Sequence, residues 1–348
     1  MADVTAPLIL AYGGVEPKFA TPPAWCGRRS AVLGRTTMGR AASIGAYAVL
    51  RGDGHYVEVG DDFWLGARST VHIAHGVYPA IIGHRVSAGR NTVIHACTVG
   101  DDCVFEDDVV ILDGSTVESG VVIEAGSTVF PRSHLPSGQV YAGCPAKPVR
   151  AVGPGEIAER AARLRAAPAE PASVAEDLDP RADLGGAILI AATCRLRGRV
   201  QLAERTSVWY GCDFDAGDGE IVVGANVNIQ DNNVIRCGQG SVRIGRDSVL
   251  GHNVTVAPCV VGNRALLGIG SFVAEGTIVE DEVLLAAGAK TEPGQRLERG
   301  WVWGGRPARA LSRLDEAKRT LISRTVETYA GYARDYTRAQ QAAVPERV

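Results

Sequence analysis

The 348-residue chain repeats itself, and that repeat narrows its fold more than any other feature. Residues 51–60 (RGDGHYVEVG) lie over residues 215–224 (DAGDGEIVVG) at an offset of 164. Residues 81–100 (IIGHRVSAGRNTVIHACTVG) lie over 243–262 (RIGRDSVLGHNVTVAPCVVG) at an offset of 162, and residues 142–150 lie over 304–312 at the same 162. The two-residue change falls between His72 and Gly83, where a loop of different length is expected. Inside each copy, apolar residues recur about every six positions, as at Val99, Val104-Phe105, Val109-Val110-Ile111, Val117 and Val121-Val122-Ile123. No helix has that period. It marks a parallel β-solenoid whose short strands point one apolar side chain inward, stacked on its counterpart a coil away. The predicted fold is therefore all-β, with two tandem β-helix domains.

The boundaries follow from the breaks in the pattern. Residues 1–167 form the first copy, and 168–184, rich in Pro, Ala and acids, read as a linker. Residues 185–311 form the second copy, and 312–348 a C-terminal helix and tail. The helix is expected to start from a capping box at Ser312–Asp315 and to carry one apolar stripe: Leu321, Ile322, Val326, Tyr329, Ala333 and Tyr336. The first copy has only a short helical candidate, residues 155–166.

Gly is abundant at 42, as the corners of a solenoid require, and aromatics make up only 6%. A net charge of −3 speaks against a nucleic-acid partner or an anionic membrane. No apolar run approaches the roughly 18 residues of a membrane span. Met1–Ala20 carries no basic leader with an apolar stretch, so a cytoplasmic location is expected. The eight cysteines are scattered without a CxxC pair and read as reduced apolar fillers.

Motifs appear in both copies. The first carries RGD (51–53), STVHIAH (69–75) and VIHACTVG (93–100). The second carries SVW (207–209), NIQD (228–231), GHNVTVAPCVVG (251–262) and GGRPAR (304–309). This ordered set resembles the γ-class carbonic anhydrases and their hexapeptide-repeat relatives, over nearly the whole chain apart from the linker and tail. The resemblance implies a left-handed, triangular β-helix and a trimer of modules. It also implies a catalytic metal held by three histidines at a module boundary, two from one module and one from the next. Zn²⁺ is the expected metal, and three imidazoles also suit Fe²⁺ or Co²⁺.

Neither copy has the full set. By that resemblance the first copy keeps the first and third ligands as His72 and His95, with Arg90 at the second position. The second keeps only the second ligand, His252, with Arg236 and Ala257 at the others. A guanidinium stays protonated and has no lone pair to donate. Of the four ways to pair copies, only the first against the second, in one polarity, assembles His72, His95 and His252. One composite metal site in a homo-oligomer, copy 1 packed against copy 2, is the expectation.

The resemblance also assigns supporting residues. Arg51 and Asp53 lie near the substrate at the module boundary, where the second copy has Asp215 and Gly217. Gln230 holds a metal-bound water or substrate; six residues before Arg236, it is expected about one coil away on the same face. Tyr141 matches a tyrosine near the metal, with core packing as an equal reading. His75 is a candidate proton shuttle. His55, His84 and His134 match no ligand position and are expected at solvent-facing coil edges. The expected chemistry is activation of water for attack on CO₂ or a related small electrophile. Three other readings stay open: a hydrolase, lyase or cyclase acting on a larger substrate at the same site; a non-catalytic scaffold; and a coenzyme A-dependent acyltransferase with His95 or His252 as base.

Overall fold

A computed structural model describes residues 7–166 and 182–343, so nearly all of the expected linker lies outside the described residues. The chain forms two compact units that divide between residues 172 and 173. Both are parallel β-solenoids closed at their C-terminal ends by an antiparallel pair.

In the first unit, one face stacks Trp25–Cys26, Ser43–Ile44, Trp64–Leu65, Ser87–Ala88, Val104–Phe105 and Val122–Ile123 in parallel register. A second face stacks Val49–Val59, Thr70–His72, Val93–His95, Val110–Ile111 and Thr128–Val129. A third runs through Ala80–Ile82, Thr98–Val99, Thr116–Val117 and His134–Leu135. Side chains alternate across a strand, so in a two- or three-residue strand only one points inward. The inward column Leu50, Val71, Ile94, Ile111 and Val129 is essentially fully buried. Each such side chain contributes about 1.5–3 kcal/mol, and Ile94→Ala would cost about 2–5 kcal/mol.

The duplication is visible in the registers. Strands Ser207–Val208, Asn228–Ile229 and Val249–Leu250 of the second unit stack as Ser43–Ile44, Trp64–Leu65 and Ser87–Ala88 do in the first. The length difference between His72 and Gly83 is a loop, bridged at Ala74 and Tyr78, where the second unit makes a tighter turn at Gly238–Gly240.

Helix α1 (Glu156–Arg165) lies against the first face of its unit, with Ile157 and Leu164 packed on the Val104/Val122/Val140 column. Helix α2 (Glu316–Ala343) runs along the second unit, burying Ile322, Tyr329, Ala333 and Tyr336 of the expected stripe; Leu321 is exposed. Tyr329 and Tyr336 meet the Trp209 ring edge-on at 5.2 and 5.7 Å. The capping box is not as expected. Ser312 belongs to strand Arg309–Arg313, and Asp315 caps the helix by accepting the Lys318 N–H at 2.9 Å. The antiparallel pairing of that strand takes Ser312 out of reach of the helix start.

Candidate metal centre

Three residues of the first unit stand in one column, one per coil: Arg51 pairs with His72, and His72 with His95. Each follows an inward-pointing Leu50, Val71 or Ile94, so strand alternation turns its own side chain outward. Asp53, two residues beyond Arg51, returns to the same side. The Arg51 guanidinium and Asp53 carboxylate form an ion pair with both side chains fully buried. Burial opposes the charge on Asp53, but Arg51, His72 and the Gly54 N–H together hold its carboxyl well below the usual carboxylate range.

The two histidines are each tied to a carboxylate. His72 Nε2 lies 3.1 Å from Asp53 Oδ1, and His95 Nδ1 lies 2.6 Å from Asp113 Oδ1. Burial also opposes ionisation of Asp113, and the charge and hydrogen bond of His95 outweigh it, so its carboxyl too is held low. An ionised carboxylate only accepts, so it fixes the imidazole proton on the nitrogen facing it. The remaining nitrogens, His72 Nδ1 and His95 Nε2, then face each other at 3.3 Å, with the rings tilted by 52°. Two lone pairs at that distance repel unless a proton or cation lies between them. Two nitrogens bound at about 2.05 Å around a tetrahedral ion are themselves about 3.3 Å apart. The pair therefore fits a metal, and its carboxylates supply the support that metal-bound histidines need.

In the second unit His252 is fully buried and its Nδ1 lies 3.2 Å from Asp231 Oδ2, one coil earlier. A carboxylate thus again stands beside one imidazole nitrogen. The register confirms the substitutions between copies. Arg236 pairs with Asp215 as His72 pairs with Arg51. Arg236 is held by the buried Asp213 carboxylate at 2.5 Å and donates to its carbonyl at 2.7 Å. Arg90, at the position of His252, is exposed and reaches Asp107 instead.

The other expected residues are placed differently. Gln230 is nearly buried but sits one coil before Gly251 on the face of Val208, Ile229 and Leu250, not on the face of Arg236. Six residues span one side of the coil, whereas a full turn takes 17 or more, as from Val93 to Val110 (17) or His72 to His95 (23). Tyr141 belongs to the first unit's apolar core, in a strand stacked on Val122–Ile123, and its hydroxyl donates to the Pro136 carbonyl at 3.3 Å. His75 is exposed in the loop beyond His72. His84 and His134 are exposed as expected, whereas His55 is half-buried. Asp113 carried no sequence motif; the only signal was its place one coil after His95.

The fold defines the chain as a hexapeptide-repeat β-helix protein. A family profile described as the hexapeptide repeat of succinyl-transferase matches residues 258–289. A protein of Desulfovibrio desulfuricans G20 described as an acetyltransferase shares the fold, with 12% identity over 94% of this chain and 82% of its own (TM-score 0.56). The mitochondrial gamma carbonic anhydrase 2 of Arabidopsis thaliana is 29% identical over 153 residues, which is 42% of this chain and 55% of that one. Protein YrdA of Escherichia coli is 29% identical over 168 residues, 46% of this chain and 90% of its own. The chain thus spans little more than half the length of the plant carbonic anhydrases it matches. It is a γ-class carbonic anhydrase-like member of the hexapeptide-repeat left-handed β-helix superfamily, with the module duplicated in tandem. Among the described residues, no helix is long and apolar enough to cross a membrane.

Proposed function

We propose that the chain is a metal-dependent enzyme of carbonic anhydrase type with one composite site, in which His72 and His95 of the first copy and His252 of the second hold the ion. The observation that carries this is the partition itself. Three ligand positions survive out of six, they are complementary between copies, and each surviving histidine is buried with a carboxylate on one nitrogen. A divalent ion at three neutral imidazoles supplies a water that ionises near neutrality, the nucleophile for an electrophilic carbon such as that of CO₂.

This chain's own residues do the rest. Asp53, Asp113 and Asp231 set the tautomers and aim the rings, and Arg51 keeps Asp53 ionised. Gln230, beside the coil of His252, orients the substrate by hydrogen bonding. His75, exposed three residues beyond His72, carries the proton to solvent. Tyr141 is assigned to packing. Because the ligands are divided between copies, the working unit needs copy 1 against copy 2, and we place it in a homo-oligomer. A cytoplasmic setting agrees with eight cysteines of which none forms a disulfide.

Stopped-flow measurement of CO₂ hydration by the zinc-loaded protein tests the reading. Activity should be present in the wild type and absent in His72→Ala, His95→Ala and His252→Ala. Metal-loaded protein without hydration above the uncatalysed rate would refute the assigned reaction. The profile match at residues 258–289 favours acyl transfer as the second reading, and saturable binding of a coenzyme A thioester would support it instead.

A further inference from the structure

The loop that follows His72 is two residues longer in the copy that carries the histidine pair: residues 73–83 correspond to 237–245 of the second copy. The extra length turns back on itself. The Tyr78 N–H donates to the Ala74 carbonyl at 3.2 Å, and the Tyr78 carbonyl accepts the Ala74 N–H at 3.0 Å. From this bridge the loop reaches the coil before it and a coil beyond His95. The Gly76 N–H donates to the carbonyl of Gly54, the residue directly after Asp53, at 3.3 Å. The Tyr78 ring lies on Gly114, the residue directly after Asp113: a Cβ at Gly114 would meet Tyr78 Cε2 and Cζ at 3.2 Å. One loop thus touches the residue following each carboxylate that holds His72 or His95.

The duplication supplies a control. At an offset of 162 the second copy has Gly240, Ala257 and Glu275 where the first has Tyr78, His95 and Asp113. A Cβ on Gly276, the counterpart of Gly114, would meet only backbone atoms of Gly294 among the described residues, at 3.4 Å. The second solenoid closes this corner without a ring, packing Gly240 against Pro258. The aromatic ring therefore occurs where the histidine–carboxylate pair occurs and is missing where both partners are replaced.

The two carboxylates differ in what else secures them. Asp53 is fully buried beside Arg51, whereas the Asp113 side chain is 43% exposed. Asp113 also precedes a glycine at φ +67°, and glycine leaves a turn more conformational freedom than any other residue. A ring lying on that glycine restricts the turn from outside.

We propose that Tyr78 is a positioning residue whose ring clamps the Asp113–Gly114 turn, keeping the carboxylate on His95 Nδ1 and Nε2 directed to the ion. The proposal rests on the reading of His72 and His95 as metal ligands and adds the residue that steadies the more exposed of their two carboxylates.

The test uses the full chain and two readouts. In metal-free protein, exchange of the His95 Nδ1 proton with water, followed by ¹H–¹⁵N NMR, should quicken several-fold in Tyr78→Ala. In zinc competition with a chromogenic chelator, the same variant should lose affinity, by no more than the roughly tenfold that Asp113 itself supplies. Combined with Asp113→Asn, Tyr78→Ala should change affinity by less than about twofold further, because the ring acts through the carboxylate. Tyr78→Phe keeps the ring and should match the wild type in both readouts. Val77→Ala, in the same loop but 62% exposed, should match it too. Tyr78 is itself 38% exposed, so its removal spares the core, and circular dichroism melts matching the wild type establish folding. Unchanged proton exchange in Tyr78→Ala, or a zinc loss equally large in the Asp113→Asn background, would overturn the proposal. A wild type that binds no zinc would instead remove the metal reading, and the proton exchange alone would then decide the role of Tyr78.

Discussion

Replacing Asp113 by Asn should weaken metal binding by about tenfold without removing a ligand. The carboxylate lies 2.6 Å from His95 Nδ1, close enough to hold that proton and leave Nε2 to face His72. Loss of a carboxylate behind a metal-bound histidine costs about 10–100-fold in affinity, or about 1.4–2.7 kcal/mol. Asp113 belongs at the lower end, because its side chain is 43% exposed and water replaces part of what it supplies. Asparagine keeps the shape and can still accept the Nδ1 proton, so folding should be unchanged. The assay is competition for Zn²⁺ with a chromogenic chelator, read beside His95→Ala, which removes a ligand outright. Unchanged affinity in Asp113→Asn would refute the role of the carboxylate. A loss as large as that of His95→Ala would show that Asp113 binds the ion itself.

Two further outcomes follow from burial. Asp53→Ala removes the carboxylate that pairs with the buried Arg51 charge and should destabilise the fold in urea unfolding, by up to about 3–5 kcal/mol. The folded-state values of Asp53 and Asp113 both lie below the unfolded value of about 3.9, so their stabilisation is complete above that pH. It is lost as pH falls through the folded values; the Asp53→Ala curve should be flatter on that acid limb, and an identical slope would contradict the coupling. Thiol labelling at pH 8 should modify Cys144 first, the one cysteine not buried in the structure. Burial pushes Cys103 and Cys259 up to about 12, and the seven buried thiols should react only in denaturant; early labelling of Cys103 or Cys259 would contradict their burial.

Much of the fold was legible because a solenoid writes its period directly into the chain. Val110-Ile111 and Val122-Ile123 repeat the same inward–outward choice, and the offsets of 164 and 162 located the loop after His72. The column of Arg51, His72 and His95 was legible through motifs. Its carboxylate partner Asp113 was not, because neighbours across a coil are separated by turns of uneven length. Gln230 was misplaced for a different reason: its six-residue spacing from Arg236 turns one corner and does not complete a coil. The start of α2 was misread because Ser312 and Asp315 both suit a cap, and only the strand pairing of Ser312 decides between them.

Metal content per chain, measured on protein purified without added metal or chelator, tests the divided site most directly. A closed ring of three modules holds one composite site for one and a half chains, giving about two-thirds of an ion per chain, or about one if the ring is open. The account predicts a value in that range for the wild type and near zero for His252→Ala. Metal retained in His252→Ala, or absent from the wild type even after Zn²⁺ is added back, would contradict it.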